Sequence, residues 1–193
     1  MSVLDLGASL RAERLRQGLS LRETARRLGI SASALSQIET GKAHPSVGKL
    51  FDIVNLLNVS VDGLLAGEPV VARGGEGFVS LQRAGEHETL ELESGVRWRR
   101  LTAGSFPGVE FLHVEYPPGG SSSGDGTFMR HAGQEFGYVL SGRLTISVGF
   151  DAHELGPGDS ISFPATTPHR LSNGGSEAAQ VIWCILGRHA GVQ

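Results

Sequence analysis

Residues 28–42 read Leu28-Gly29-Ile30-Ser31-Ala32-Ser33-Ala34-Leu35-Ser36-Gln37-Ile38-Glu39-Thr40-Gly41-Lys42, and this stretch decides the fold of the N-terminal part of the chain. Gly29 supplies the residue that a tight turn between two helices needs. Counted from this glycine, apolar side chains recur at the spacing of a buried helix face. They are Leu28, Ile30, Leu35 and Ile38. Ala25 lies four residues before the turn, where a larger side chain would collide with the second helix. The stretch therefore predicts two short helices packed around a tight turn.

The residues on either side extend this pair to a predicted all-α unit of five helices over residues 1–66. A first helix precedes the pair, and we expect three leucines to form its buried face. They are Leu6, Leu10 and Leu15. Ser20 is predicted to cap the start of the second helix, and Pro45-Ser46 to begin a fourth. A short fifth helix is predicted from the apolar residues Val61, Leu64 and Leu65.

Charge and glycine content divide the 193-residue chain into two unlike parts. Residues 1–66 carry a net charge of +2 and six of the 28 glycines, whereas the following 127 residues carry a net charge of −5 and 22 glycines. Helix interiors avoid glycine and β-turns require it, so we expect a helical head followed by an all-β body. We place a linker at residues 67–77 and the body at residues 78–193. The predicted fold class is α+β in two domains.

The body contains short apolar or alternating runs that are separated by turns rich in Gly, Pro and Ser. The clearest predicted strands are residues 109–116, 136–140, 143–148, 160–163, 169–171 and 180–186. Strands this short and this evenly spaced are typical of a β-sandwich or a small barrel.

Composition and cysteine usage exclude several classes of protein. A hydrophobic content of 39% is too high for a disordered chain. The longest apolar run, residues 181–186, is far shorter than a membrane span, and no basic-then-apolar leader opens the sequence. The single cysteine, Cys184, excludes an intrachain disulfide framework. We therefore expect a cytoplasmic protein with no membrane partner.

The helical head resembles the DNA-binding domain of the XRE family of helix-turn-helix regulators, and residues 28–42 carry most of the resemblance. This resemblance implies that the helix after Gly29 lies in the major groove with its N-terminal half against base edges. The side chains expected to face bases are Ala32, Ser33, Ser36 and Gln37. Ser20, Thr40 and Lys42 are expected near phosphates, and Ser31 is a further expected DNA-binding residue. Arg14 and Glu39 match an ion pair that ties the first helix to the third, so we expect neither to read DNA.

The charge of the head bears on how it would bind nucleic acid. A net charge of +2 attracts the phosphates of DNA only weakly, so one head alone is expected to bind DNA poorly at physiological salt. Dimerisation would double the contacts and would require two half-sites about one helical turn apart, roughly 34 Å. We therefore expect a homodimer on a palindromic operator of double-stranded DNA. The residues do not indicate which surface forms the dimer.

The body resembles the cupin family, whose fold is a double-stranded β-helix, or jelly-roll barrel. Residues 131–135 resemble the first cupin motif, and residues 157–173 resemble the second. In metal-binding cupins these motifs supply two histidines two residues apart, a glutamate and a third histidine. His131, Glu135 and His169 match three of these positions. Met129 stands where the first histidine is expected.

This departure at Met129 leaves the chemistry of the predicted cluster open. Two histidines and one carboxylate can hold a divalent metal such as Fe, Zn, Ni or Mn, but methionine is a poor ligand for hard metals and weakens such a site. The same three residues can instead line an effector pocket through hydrogen bonds without metal, or form a charge-balanced structural cluster. His113 is a further candidate for the pocket, whereas Trp183 on the apolar final strand is expected in the core.

Together, the two resemblances imply a transcriptional regulator that binds operator DNA through its head and senses a small-molecule effector in its barrel. The effector would alter DNA affinity only as far as it prefers one arrangement of the domains. The alternative is a non-haem iron enzyme, because some epoxidases and dioxygenases combine such a head with an iron-binding cupin. The set of potential base-reading side chains favours the regulator, and we assign no catalytic residue.

Overall fold

A computed structural model describes residues 5–59, 61, 64, 81–85, 89–104, 106 and 108–187. The described part of the head contains four α-helices, which are α1 (Leu6–Arg16), α2 (Leu21–Arg27), α3 (Ala32–Glu39) and α4 (Val47–Leu56). Within the described residues, the head therefore shows four complete helices and not the predicted five. Within the predicted fifth helix, Val61 and Leu64 are described and helical, while Leu65 lies outside the described residues, as does the predicted linker at residues 67–77. None of the described helices has the length and the apolar composition needed to cross a membrane.

Serine side chains and one glycine set the ends of the helices in the head. The Ser20 hydroxyl accepts a hydrogen bond from the Glu23 amide at 3.2 Å, and the Ser31 hydroxyl accepts one from the Ala34 amide at 3.0 Å. Such caps satisfy amides that have no partner within the first turn of a helix. Gly29 has a φ of +66° and forms the turn between α2 and α3, as predicted.

The buried face of α1 differs from the predicted one. Leu6 and Leu10 are buried, but Leu15 is 57% exposed and Arg14 is buried instead. Arg14 donates two hydrogen bonds to the Glu39 carboxylate, at 2.6 and 2.8 Å, and a third to the carbonyl of Leu19 at 2.7 Å. Because each charge has a partner of opposite sign, the two charged side chains can be buried in the head where a leucine was expected. The structure thus brings together the ion pair that the resemblance implied.

The body is a barrel of two antiparallel sheets. Its strands are β1 (Thr89–Glu91), β2 (Arg97–Arg100), β3 (Val109–Tyr116), β4 (Gln134–Ser141), β5 (Leu144–Val148), β6 (Asp151–Leu155), β7 (Ser160–Pro164), β8 (His169–Ser172) and β9 (Ala179–Leu186). The larger sheet has the order β1-β2-β3-β9-β4-β7 and the smaller one the order β6-β5-β8. Every predicted strand is present. The strands β1, β2 and β6 were not predicted, because they are short and rich in polar residues.

The inward side chains of the larger sheet form the wall of the barrel interior. On β3 these are Leu112, Val114 and Tyr116, and on β9 they are Ala179, Val181, Trp183 and Ile185. Gly137 on β4 lies beside Trp183, and a Cβ atom at Gly137 would be 2.1 Å from the indole ring. The absence of a side chain at this position therefore makes room for the indole ring of Trp183.

The head packs directly against the barrel through α4. The Gly48 amide donates a hydrogen bond to the carbonyl of Ser122 at 3.2 Å, and the Glu93 amide donates one to the carbonyl of Pro45 at 3.0 Å. Phe51 is 3% exposed and belongs to the same continuous buried core as the barrel residues. The helical head and the barrel therefore share one apolar interface.

Candidate ligand site of the barrel and nucleic-acid surface of the head

The three polar residues that match the cupin motifs meet inside the barrel. The Nε2 atom of His131 lies 2.7 Å from the Oε1 atom of Glu135, and the Nε2 atom of His169 lies 3.2 Å from the same oxygen. One ligand atom from each residue lies within 4.8 Å of the others, and all three residues are buried. Glu135 is on β4 and His169 begins β8, so the cluster joins the two sheets.

The backbone fixes which ring nitrogen each histidine presents to the cluster. The Nδ1 atom of His131 is 3.0 Å from the carbonyl of Ala132, and the Nδ1 atom of His169 is 2.8 Å from the carbonyl of Thr167. A carbonyl oxygen accepts only, so each Nδ1 carries the proton and donates it. Nε2 is then the nitrogen that each ring directs towards Glu135. Among the described residues, neither Nε2 atom nor the Oε1 atom of Glu135 has a hydrogen bond of good geometry.

The electrostatics of the cluster favour a positive charge beside Glu135. Burial acts to raise the pKa of Glu135, but the contacts with His131 and His169 outweigh burial and lower this pKa to about 2. Burial acts to lower the pKa of His169, yet the contacts with Glu135 and the carbonyl of Thr167 outweigh it and raise this pKa. Trp183 donates a hydrogen bond from Nε1 to Oε2 of Glu135 at 3.0 Å, which further supports the ionised carboxylate.

Aromatic rings surround the cluster on several sides. Trp98 and Trp183 line the same small cavity as Glu135, together with Tyr116, and Phe51 lines it from the head. The ring centroids of Phe51 and His131 are 4.3 Å apart, and those of Phe51 and Trp98 are 5.6 Å apart. The Nε1 atom of Trp98 is buried and has no hydrogen-bond partner among the described residues. The interior of the barrel therefore offers an apolar, aromatic wall with a polar cluster at one end.

The two remaining candidates for the pocket lie in different places. Met129 lines the cavity with Glu135 and pairs with His169 through backbone hydrogen bonds of 2.9 Å in each direction. The structure therefore brings Met129 to the cluster. His113 lies between Leu112 and Val114, which face inward, so its side chain projects from the opposite face of β3, where its neighbour on β9 is Ile182. This position corrects its predicted place in the pocket.

The predicted DNA-binding residues form a nearly continuous surface around α3. Ser20, Ser31, Ser33, Gln37, Thr40 and Lys42 are exposed, while Ala32 and Ser36 are half-buried. Leu35 and Ile38 face the core of the head, so the residues between and before them project outward. The hydroxyls of Ser20 and Ser31 already accept amide hydrogen bonds, but each retains its own proton for a phosphate oxygen. The hydroxyl of Thr40 donates to the carbonyl of Ser36 at 2.8 Å.

Part of this surface faces the barrel. Gln37 lines a cleft of about 690 Å³ between the head and the barrel. Lys49 and Asp52 of α4 line the cleft on the head side, and Asp125 and Glu93 line it on the barrel side. The carboxylates of the barrel therefore lie near a surface that would approach the phosphates of DNA.

Comparison with known proteins agrees with both halves of this geometry. Residues 10–64 match the helix-turn-helix family, and residues 112–185 match the cupin domain family. The HTH-type transcriptional regulator PuuR of Escherichia coli (strain K12) is 25% identical over 181 residues, which cover 91% of each chain. The PuuR of Shigella flexneri matches equally well. The chain is a helix-turn-helix transcriptional regulator with a C-terminal cupin domain.

Solved structures share the fold of this regulator at low sequence identity. An HTH_3 family transcriptional regulator from Vibrio cholerae is 22% identical, covers 95% of both chains and superimposes with a TM-score of 0.65. The hydroxypropylphosphonic acid epoxidase from S. wedmorenis is 21% identical, covers 94% of this chain and 97% of its own, and gives a TM-score of 0.50. Both comparisons extend over head and barrel, and at this identity they concern the fold alone.

Reasoning from the sequence missed the aromatic wall of the regulator's barrel. Trp98 falls on the unpredicted strand β2, and Phe51 reads as an ordinary core residue of α4. One signal was available. The apolar residues of α4 spread over more than one helix face, which is typical of a helix that is buried on two sides. They are Val47, Leu50, Phe51, Ile53, Val54 and Leu57.

Proposed function

We propose that this regulator binds a palindromic operator through α3 and senses a small-molecule effector in its barrel. The observation that carries the sensing role is the cluster of His131, Glu135 and His169, whose facing atoms are buried without good hydrogen bonds among the described residues. Unsatisfied buried polar atoms cost stability, so natural proteins retain them where they have a role. We place the boundary between the two domains within residues 67–77, with the head at 1–66 and the barrel at 78–193.

The head provides the features that specific DNA binding requires. Gln37 is exposed on α3 and can make a bidentate pair with adenine, while Ala32 can contact a thymine methyl group. Ser20 and Lys42 are exposed, and in this proposal their side chains contact phosphates and so fix the register of the head on the duplex. Base contacts from α3, together with phosphate contacts at the start of α2 and after the end of α3, support a sequence-specific site.

The cluster also fits a divalent metal ion as a cofactor. Two ligand atoms that each lie about 2.1 Å from one metal are about 3.0–3.4 Å apart, close to the separations of 2.7 and 3.2 Å in the two histidine–glutamate pairs. His131, Glu135 and His169 would hold the ion, and the backbone carbonyls at Nδ1 orient both rings for it. With three protein ligands, such a metal keeps coordination positions for a bound small molecule.

A homodimer through the outer face of the larger sheet would supply the second head. Phe136, Tyr138 and Leu140 on β4 are each 43–46% exposed, and Ile182 and Cys184 lie beside them on β9. Arg97 and Glu115, paired at 3.1 Å, lie at the edge of this outer face. A second copy of the chain fits such a surface, because two apolar centres would meet without unpaired charge and two heads are needed for two half-sites.

The dimer is tested by a charge placed on this face. Tyr138→Arg should convert the protein to a monomer in sedimentation equilibrium, because an unpaired charge would be buried in the interface. Phe150→Arg is the matched control, since Phe150 is fully exposed in the turn between β5 and β6. A Tyr138→Arg protein that remains dimeric would exclude this face.

The DNA-binding role is tested by selection from a pool of random duplexes with the full-length protein. The expected result is enrichment of a two-fold symmetric site whose half-sites are about one helical turn apart. Recovery of no consensus, or of an asymmetric one, would contradict the proposal.

The sensing role is tested by thermal unfolding in a set of metabolites and divalent metals, since a molecule that binds the native state raises the melting temperature. A true effector should lose this stabilisation in His169→Ala and should change the affinity for the selected operator. If metal is bound and a small molecule is chemically converted, while no duplex is selected, the enzyme alternative is favoured.

A further inference from the structure

The interior of the barrel has almost no free space. The cavity that Glu135, Trp98 and Trp183 line measures about 10 Å³, which is the space of a single water molecule. Sites for small organic ligands usually measure about 300–1,000 Å³. An effector that reaches the cluster must therefore displace something that now fills the barrel.

The side chain that fills this space from outside the barrel is Phe51. Its ring lies between His131 and Trp98, with centroid distances of 4.3 and 5.6 Å, and it is 3% exposed. His131 and Glu135 are themselves at most 6% exposed. Phe51 is anchored by α4 alone, whereas the other aromatic rings of the cavity are anchored by strands of the barrel. Among the aromatic rings that line the cavity in the described part of the chain, Phe51 is thus the one that can move out of the barrel without separating two strands.

Displacement of Phe51 would move the whole head. Lys49 on α4 donates a hydrogen bond to the carbonyl of Leu28 at the end of α2, at 3.1 Å. Leu50 and Val54 on the same helix are fully buried in the core of the head with Leu35 of α3. Because packed cores resist local deformation, α4 carries α3 with it. The contacts that would break include the hydrogen bonds from the Gly48 amide to Ser122 and from the Glu93 amide to Pro45.

We propose that Phe51 forms the removable wall of the effector site, so that a ligand with an apolar body can enter the barrel beside His131 only when α4 lifts away. Ligand occupancy and docking of the head on the barrel then exclude one another. The recognition helix α3 is released from the cleft that it shares with Asp125 and Glu93. This inference rests on the proposed sensing role and adds the residue that couples the two domains.

The wall is tested by acrylamide, a small neutral quencher of tryptophan fluorescence, on the full-length protein. Both tryptophans of the chain, Trp98 and Trp183, line the cavity, so their emission reports access to it without any effector or metal. Phe51→Ala should increase quenching several-fold relative to the unaltered protein. Asp52→Ala is the control, because Asp52 is the next residue on α4 and is exposed. Unchanged quenching in Phe51→Ala would overturn the proposal.

A reversible crosslink tests whether access requires α4 to lift. A Cβ atom placed on Gly48 would be 3.4 Å from the Cβ atom of Met129, a separation close to that of a disulfide, about 3.5–4.5 Å. The full-length protein with Gly48→Cys and Met129→Cys, in a Cys184→Ser background, can therefore be compared in its oxidised and reduced forms. Any quenching of the reduced form should be lost on oxidation and return with reductant.

The two experiments separate the inference from the proposed function. Strong and equal quenching of the oxidised and reduced forms would show that small molecules reach the tryptophans while α4 is fixed, and would overturn the inference. If the expected quenching is found but no effector or metal shifts the melting temperature, the wall exists and the sensing role fails. A Phe51→Leu variant with native circular dichroism and intermediate quenching would support the wall even if Phe51→Ala unfolds.

Discussion

The ring of Phe51, on a helix of the DNA-binding head, lies 4.3 Å from the imidazole ring of His131, inside the barrel, with the two planes inclined by 42°. A residue of one domain thus contacts the polar cluster of the other. A regulator needs such a connection, because an effector can change DNA affinity only if its binding energy differs between two arrangements of the domains. In the proposed sensing role, the contact between Phe51 and His131 is where the two arrangements of the domains would differ.

We predict that Gln37→Ala reduces discrimination at one or two base pairs of each half-site, at a cost of about 1–3 kcal/mol against the preferred base. Gln37 is exposed on α3 between the inward residues Leu35 and Ile38. The measurement is a set of titrations against operators with single substitutions. Lys42→Ala is the matched comparison, since loss of a phosphate contact should weaken all sequences alike and reduce the salt slope by about one unit. If Gln37→Ala weakened the affinity for all DNA sequences equally, Gln37 would contact the DNA backbone and not a base.

Arg14→Ala is expected to destabilise the head by about 3–5 kcal/mol, because it leaves the buried carboxylate of Glu39 without its partner. Urea unfolding of the full-length protein, followed by circular dichroism, measures this loss. Arg16→Ala serves as the control, since Arg16 pairs with Glu13 but is 70% exposed, and its removal should leave stability unchanged. Unchanged stability of Arg14→Ala together with lost DNA binding would identify Arg14 as a direct DNA contact.

Metal binding by the unaltered protein is predicted to be weak or substoichiometric, because Met129 stands where a fourth ligand is expected. Met129 lines the cavity beside Glu135, so Met129→His should add an imidazole at the cluster and raise metal occupancy at neutral pH. Metal analysis after dialysis against Fe²⁺, Zn²⁺, Ni²⁺ or Mn²⁺ gives the occupancy. One tightly held metal per unaltered chain, lost in His169→Ala, would show that three ligands suffice and would favour the enzyme alternative.

Gly137→Ala should destabilise the barrel by about 1–3 kcal/mol, because the added methyl group would overlap the indole of Trp183 at 2.1 Å. The shift of Trp183 should also weaken its hydrogen bond to Glu135 and change the tryptophan emission. Gly174→Ala is the matched control, since a Cβ atom there meets nothing within 4 Å. Equal melting temperatures of the two variants would show that the indole adjusts without cost.

Local sequence patterns predicted most of the fold. The turn at Gly29, the cap Ser20, and the strands of residues 109–116 and 180–186 each depend on neighbours along the chain. Two errors have different causes. Leu15 was expected to be buried because it is apolar, but the packing of α1 against α3 buries Arg14, whose partner Glu39 is 25 residues away. His113 was expected in the pocket, although alternation along β3 points it outward.

The sequence by itself predicted a helical head and a β-rich body from composition, and it predicted the recognition helix and the three residues of the polar cluster from the resemblance of local motifs to known families. The tertiary structure alone decided that α4 closes the barrel and that Phe51 meets His131 and Trp98. No periodicity relates residue 51 to residues 98 and 131, since their contact forms only when two independently patterned domains pack together. Apolar residues on two faces of a helix predict that both faces are buried, but only the folded chain shows what covers each of them.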